Sequence, residues 1–176
     1  MRVISGRARG TKLNTLEGLD TRPTGERVKE ALFSMIADRI PDSTVLDLFS
    51  GCGGLAIEAL SRGAEKAHLI DLSPKACDII RSNLSKTRLD DSSTLFKTDA
   101  FDFLKETSTC YDIIFLDPPY RHKLCDKAME IIYERGLLKE DGIIVCETSS
   151  EEEIKTDFNI LKQRRYGTTL ITLYLR

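Results

Sequence analysis

The chain has 176 residues, a net charge of −2, 31% charged and 41% hydrophobic residues, and five cysteines. That length suits one domain with a full core, no apolar run approaches the roughly 20 residues of a membrane helix, and the start, Met1-Arg2-Val3-Ile4-Ser5-Gly6-Arg7, has no apolar signal core, so a cytoplasmic protein with no membrane partner is expected. Cys52, Cys77, Cys110, Cys125 and Cys146 are odd in number and lack C-x-x-C spacing, and His68 and His122 stand apart, which argues against a disulfide framework or a metal site.

Residues 1–16 hold Arg2, Arg7, Arg9 and Lys12 and no acid, a cationic arm on an otherwise acidic chain and so a candidate phosphate footprint. Within it, Ser5-Gly6-Arg7-Ala8-Arg9-Gly10 separates two short runs and reads as a small hairpin or extended arm, its arginines facing solvent or a partner. A loop over 14–25 follows. Thr24 is placed to cap a helix, with Glu26 in its first turn and Val28, Ala31, Leu32, Met35 and Ile36 at helical spacing before Pro41.

From there strands and helices alternate. A strand over 44–49 leads into a glycine-rich turn and a helix over 55–62 stopped by Gly63. A strand over 66–70 closes on Asp71, and Pro74 opens a helix where its missing N–H costs nothing. A strand over 94–97 precedes a short helix through Leu104. A strand over 111–116 precedes a helix with Leu124, Ala128, Ile131 and Ile132, ended by Gly136. A strand over 142–146 comes next. Two more, over 158–164 and 168–175, join near Gly167 as an antiparallel hairpin. Repeated β-α units imply a parallel sheet covered on both faces. Residues 1–176 thus read as one domain: an arm and loop over 1–25, then a helix and an α/β core over 26–176.

The apolar run Tyr111-Asp112-Ile113-Ile114-Phe115-Leu116 leads straight into Asp117-Pro118-Pro119-Tyr120. Prolines stop strand pairing and stiffen the backbone, which fixes the direction of the Pro118 carbonyl. A carboxylate, a rigid carbonyl and an aromatic ring at the C-terminal end of a strand lie where open α/β sheets bind ligands, and suit gripping the amino group of a planar base. The first β-α turn, Asp47-Leu48-Phe49-Ser50-Gly51-Cys52-Gly53-Gly54-Leu55, lets backbone approach a ligand closely. It lacks the Lys-Ser or Lys-Thr of a phosphate loop, and Ala56 ends the G-x-G-x-x-G spacing, which leaves NAD open. Asp71 ends the second strand, where a carboxylate suits a ribose hydroxyl pair. Asp99-Ala100 follows the third strand and suits an adenine amino edge.

These features together resemble a class I S-adenosylmethionine-dependent methyltransferase acting on amino nitrogens. Arg2-Val3-Ile4-Ser5-Gly6 with Arg9-Gly10-Thr11-Lys12-Leu13, the stretch from Arg22-Pro23-Thr24-Gly25 through Phe33, and Leu48-Phe49-Ser50-Gly51 with Glu58 to Ala64 are similar to the RsmD family. Its members methylate the N2 amino group of one guanine in small-subunit (16S) ribosomal RNA. Ser5, Glu26, Cys52, Gly54 and Ala56 depart from the family's commoner residues, and none of these changes removes a carboxylate or the Pro-Pro corner.

The resemblance implies an α/β, Rossmann-like fold: a mostly parallel seven-stranded sheet with an antiparallel C-terminal strand and a small N-terminal β-hairpin extension. It implies S-adenosyl-L-methionine as cofactor, held by Asp47, Phe49, Ser50, Gly51, Gly53, Asp71, Leu72, Asp99 and Ala100. Catalysis falls to Asp117, Pro118, Pro119 and Tyr120, without a metal. RNA binding falls to Arg2, Arg7, Arg9, Lys12, Arg22 and Arg27, with the small-subunit RNA, in an assembling or assembled particle, as partner. Rival readings are a DNA adenine or cytosine amino-methyltransferase, which usually carries a separate recognition domain, and a protein-glutamine methyltransferase, which favours Asn at position 117. An NAD-binding oxidoreductase and a non-catalytic RNA-binding assembly factor complete the alternatives.

Overall fold

The computed structural model describes residues 1–16, 23–118 and 124–176. Apolar runs bounded by polar turns form strands, and runs of helical period form the helices between them. In chain order these are α1 (Pro23–Met35), β1 (Thr44–Asp47), α2 (Gly54–Ser61), β2 (Lys66–Asp71), α3 (Pro74–Thr87), β3 (Ser93–Lys97), α4 (Ala100–Glu106), β4 (Tyr111–Leu116), α5 (Leu124–Arg135), β5 (Leu138–Ser149), β6 (Asn159–Tyr166) and β7 (Thr169–Leu175). The strands make one sheet in the order β3-β2-β1-β4-β5-β7-β6. β7 pairs antiparallel with β5 and β6, and the remaining pairs are parallel. Strand order reverses between β1 and β4, so the crevice at their C-terminal ends is the place this topology offers a ligand.

Side-chain alternation divides the interior into two cores. Val45, Ile113, Phe115, Val145, Ile171 and Leu173 pack with residues of α1, α2 and α3 on one face. Leu46, Ile114, Leu116, Ile144 and Tyr174 pack with α4 and α5 on the other. On the first face α1 lays Phe33 against Phe115, ring centroids 5.7 Å apart.

The N-terminal arm is a docked element. A single antiparallel bridge, Arg2 with Lys12, makes the hairpin, and Val3, Ala8 and Leu13 are buried. Its anchor is Glu58 of α2, a carboxylate with no solvent exposure. Glu58 accepts the backbone N–H of Ile4 at 2.8 Å and of Ser5 at 3.0 Å. It also pairs with Lys29 Nζ at 3.1 Å and Arg62 Nε at 2.8 Å. One turn further along α2, the Ser61 carbonyl accepts from Arg7 N and the Ser61 hydroxyl from Ala8 N. The approach is so close that a Cβ at Gly6 (φ +83°) would lie 1.7 Å from the Ser61 carbonyl oxygen, so only glycine fits.

Several details differ from the sequence reading. Helix α1 starts at Pro23, so Thr24 sits inside its first turn rather than capping it, with proline at the position it favours. Strand β5 begins at Leu138, because the polar run Lys139-Glu140-Asp141 hides a segment that pairs Leu138 with Tyr111 before the register shifts. In the C-terminal hairpin a bulge at Leu161 places Ile160 opposite Tyr174 but Lys162 opposite Leu173. Ile160 and Lys162 would share a face in a regular strand, and the extra residue sends them to opposite faces.

The Glu58 anchor predicts a large stability effect. Glu58→Ala leaves Lys29 buried with only the Arg2 carbonyl as acceptor, and should lower the unfolding free energy by about 3–5 kcal/mol. Urea unfolding measures it, and a loss below about 1 kcal/mol, the level of a surface pair, would contradict the assignment.

Candidate active site

The turn after β1 is stitched by its own polar groups. The Ser50 hydroxyl donates to the Asp47 carbonyl at 2.8 Å and accepts from Ile70 N at 2.9 Å, tying the turn to β2. Gly51, at φ +56°, donates its N–H to Asp71 Oδ2 at 2.8 Å. The other Asp71 oxygen accepts from Ser73 N at 2.9 Å. Ser50 and Asp71 therefore hold the loop in shape. Asp71 keeps lone pairs beyond those two bonds.

Asp47 faces the first core, 1% exposed, and accepts from Ala56 N in the first turn of α2 at 3.2 Å. Burial pushes its carboxyl up to about 7; the Ala56 N–H opposes that rise and the Asp71 charge adds to it. At the end of β2, Leu72 is 65% exposed, an apolar side chain offered to solvent beside the glycine turn. After β3, Asp99 caps α4: its Oδ1 accepts from Phe101 N and Asp102 N, which leaves Oδ2 uncommitted among the described residues. Ala100 is buried at the helix start. Half-buried Phe49 meets Phe101 edge-on, centroids 6.5 Å apart, which brings the first and third strand ends together.

Asp117 follows the last residue of β4. Leu116 is in register with Cys146, so the next residue on each strand, Asp117 and Glu147, are neighbours. Burial, the Glu147 charge and then the Asp47 charge raise the Asp117 carboxyl well above the ordinary range. Burial likewise raises Glu147. Pro118 is half-buried beside them. Pro119, Tyr120 and His122 lie outside the described residues, as does Arg22. The crevice thus gathers Asp47, the glycine turn, Asp71, Leu72, Asp99 and Asp117 from four strand ends.

The cationic candidates lie apart from this group. Arg2, Arg7, Arg9 and Lys12 are exposed on the arm, Arg7 Nη2 reaching the Ser92 hydroxyl at 3.4 Å, just before β3. Arg27 is exposed on α1. His68 is structural: its Nδ1 lies 2.9 Å from the Tyr111 hydroxyl, ringed by Phe96 and Phe103.

Two residues near the crevice escaped the sequence reading. Glu147 ends an apolar strand run just as Asp47, Asp71 and Asp117 do, and that shared position was the available signal. Asn83 is fully buried on α3, donating to the Cys52 and Asn14 carbonyls and accepting from Asn14 N. It couples the arm to the glycine turn. The sign was an amide among Ala76, Cys77, Ile80 and Leu84 on the apolar face of that helix.

Residues 1–175 match the model of a protein family described as conserved hypothetical protein 95. Ribosomal RNA small subunit methyltransferase D of Haemophilus influenzae is 34% identical, across 99% of this chain and 93% of its own. The protein of the same name from Escherichia coli K12 is 31% identical, across 100% and 90%. Among solved structures, an Escherichia coli chain named as a candidate methyltransferase, yhhF, matches with a TM-score of 0.89 at 31% identity over 100% of this chain and 97% of that one. A hypothetical protein of Thermus thermophilus matches with a TM-score of 0.86 at 25% identity, over 100% and 99%.

The buried Asp47 carboxyl sets a pH dependence. It titrates near 7 in the fold and near 3.8 as its reference, so between those values the folded state holds a proton that the unfolded chain has released. Stability therefore falls as pH rises through this window, by up to about 4 kcal/mol from this group. Asp47→Asn keeps an acceptor for Ala56 N and removes the titration. Urea unfolding near pH 4.5 and near pH 7.5 (approximate ends of the window) should show a smaller difference in the variant than in the parent, and an equal difference would refute the assignment.

Proposed function

This chain belongs to the RsmD family of small-subunit ribosomal RNA methyltransferases, and we propose that it transfers a methyl group from S-adenosyl-L-methionine to the exocyclic N2 amino group of a guanine in 16S ribosomal RNA. The observation that carries the proposal is Asp117-Pro118 at the C-terminal end of β4, next to the glycine turn of β1, where strand order reverses. The residues around that crevice fit the cofactor. A Cβ at Gly51 would meet nothing within 4 Å, Leu72 offers apolar surface, and Asp99 retains a free carboxylate oxygen. When bound, S-adenosyl-L-methionine supplies a methyl group on a sulfonium, an electrophile already activated.

The guanine amino lone pair is delocalised into the ring and is a poor nucleophile. The ionised Asp117 carboxylate and the Pro118 carbonyl accept its two N–H groups, draw the nitrogen toward tetrahedral geometry and free the lone pair. The same two acceptors would stabilise the positive charge that develops on nitrogen as the N–C bond forms and the sulfonium C–S bond breaks, its electron pair leaving with the neutral thioether. Holding the nitrogen in line with the methyl supplies much of the rate. Asp117 then takes the surplus proton. Its carboxyl, raised by burial and by Glu147 and Asp47, holds a proton more readily than an exposed aspartate, which suits a proton acceptor.

Tyr120 offers the flat ring on which the base stacks, and the base enters unpaired or flipped from its helix. Arg2, Arg7, Arg9, Lys12, Arg22 and Arg27 take phosphates of the RNA. The substrate is the small-subunit RNA in an assembling or finished particle, in the cytoplasm.

Asp117→Ala should abolish methyl incorporation into small ribosomal subunits while calorimetry still detects S-adenosyl-L-methionine binding. Turnover near the parent level would sink the mechanism. Arg7→Glu with Arg9→Glu should weaken RNA binding and flatten its salt dependence by about 1.5 in log–log slope. A slope that does not move would remove the arm from the RNA interface.

A further inference from the structure

The C-terminal hairpin is charged on one face by construction. Register runs from Glu147 on β5 to Ile171 on β7 to Arg164 on β6, and one row lower from Val145 to Leu173 to Lys162. Ile171, Leu173 and Val145 belong to the first core, the one that Asp47 faces. Lys162 and Arg164 therefore stand on the same side of the sheet as the Asp117–Glu147 pair, the Arg164 row reaching Glu147 and the Lys162 row lying next to it. Both are exposed, and among the described residues neither makes an ion pair. The opposite face is mixed: Arg165 stands on it, and Gln163, Thr172 and Leu170 line a groove there with Glu151, Glu152 and Glu153.

The location matters as much as the charge. The arm with Arg7 and Arg9 docks on α2 and reaches Ser92 beside β3, one edge of the sheet. β6 is the other edge, and β4 with Asp117 lies between them. From β4 to β6 is three strand spacings, about 14 Å. An RNA whose target base sits at Asp117 and whose backbone crosses the arm on one side meets Lys162 and Arg164 on the other.

We propose that Lys162 and Arg164 of β6 form a second phosphate-binding track for the RNA substrate, on the far side of the Asp117 corner from the N-terminal arm. This rests on RNA being the substrate. A protein strand adding to β6 is the competing occupant, and the edge is poorly made for it. The bulge at Leu161 and the cations of Lys162, Arg164 and Arg165 are the devices that keep edge strands from pairing with other chains.

The test is the salt dependence of binding to protein-free small-subunit ribosomal RNA by the full chain. The Lys162→Gln/Arg164→Gln variant should show a log–log slope flatter by about 1.5, so the parent loses about eightfold more affinity than the variant between about 50 and 200 mM salt. S-adenosyl-L-methionine affinity should be unchanged, which reports an intact fold and crevice. Arg165→Gln removes one positive charge from the opposite face, where Arg165 is opposite Leu170, and should leave the slope at the parent value.

A double variant with the parent slope would overturn the track while leaving the substrate reading standing. So would a double variant that binds RNA normally but loses a ribosomal protein, which would assign the face to a protein partner. A parent chain that binds RNA without salt dependence would overturn the track together with the substrate reading.

Discussion

A single buried carboxylate organises the N-terminal third of the molecule. Glu58 has no contact with water, and two backbone N–H groups, a lysine and an arginine surround its carboxylate. Those donors come from the arm, from α1 and from α2 itself. Removing any of them leaves a charge in a medium that solvates it poorly, so the three segments are held together by a shared penalty for separation. The arm is thereby a wall of the domain rather than a tail, and its arginines are displayed from a fixed base. Through Asn83 the same arm is tied to the glycine turn, so the surface that carries Arg7 and Arg9 and the loop that borders the crevice share one framework.

A different electrostatic economy rules the C-terminal ends of the strands. Asp47, Asp117 and Glu147 are carboxyls brought close by register, with no cation paired to them among the described residues. Where Glu58 is surrounded by cations and N–H donors, these three are pushed toward their protonated forms by burial, and mutual repulsion adds to the rise at Asp117. The fold thus keeps two kinds of buried acid: one surrounded by cations and N–H donors, the others underpaired at the C-terminal ends of the strands. That separation follows the sheet: the paired acid sits on a helix, and the underpaired acids sit at strand ends.

Much of the architecture was legible because its signals are local. Alternation of short apolar runs with helical periods identified every strand and helix to within a few residues, and Pro74 and Gly167 marked a helix start and a hairpin turn by their own backbone constraints. The crevice was legible as a set of strand-end acids and glycines. The division of labour within it was not. Asp71 and Asp99 carry local backbone bonds that any aspartate at a loop start can make, and whether such a residue also serves a ligand is written in its unused lone pairs rather than in the sequence. Glu58, Asn83 and Glu147 act through contacts made across 20 or more residues, which no spacing rule encodes; the 69 residues between Asn83 and Asn14 are an example. Thr24 was misplaced by two residues because Pro23 enters a first helical turn as readily as it precedes one.

The bulge at Leu161 turns the outermost strand into a matter of parity. The turn at Gly167 fixes the residues from Tyr166 back to Lys162, and the extra residue then resets the count, so Ile160 joins Tyr174 on the other side. Inserting or deleting a single residue between Arg165 and Gly167 would carry Lys162 and Arg164 to the opposite side and bring Gln163 and Arg165 across in exchange. Changes of two residues would preserve the arrangement. Length variation in this hairpin is therefore tolerated in even steps, and a drifting lineage could lose or regain the polarity of the whole edge by one codon, without altering a single charged residue.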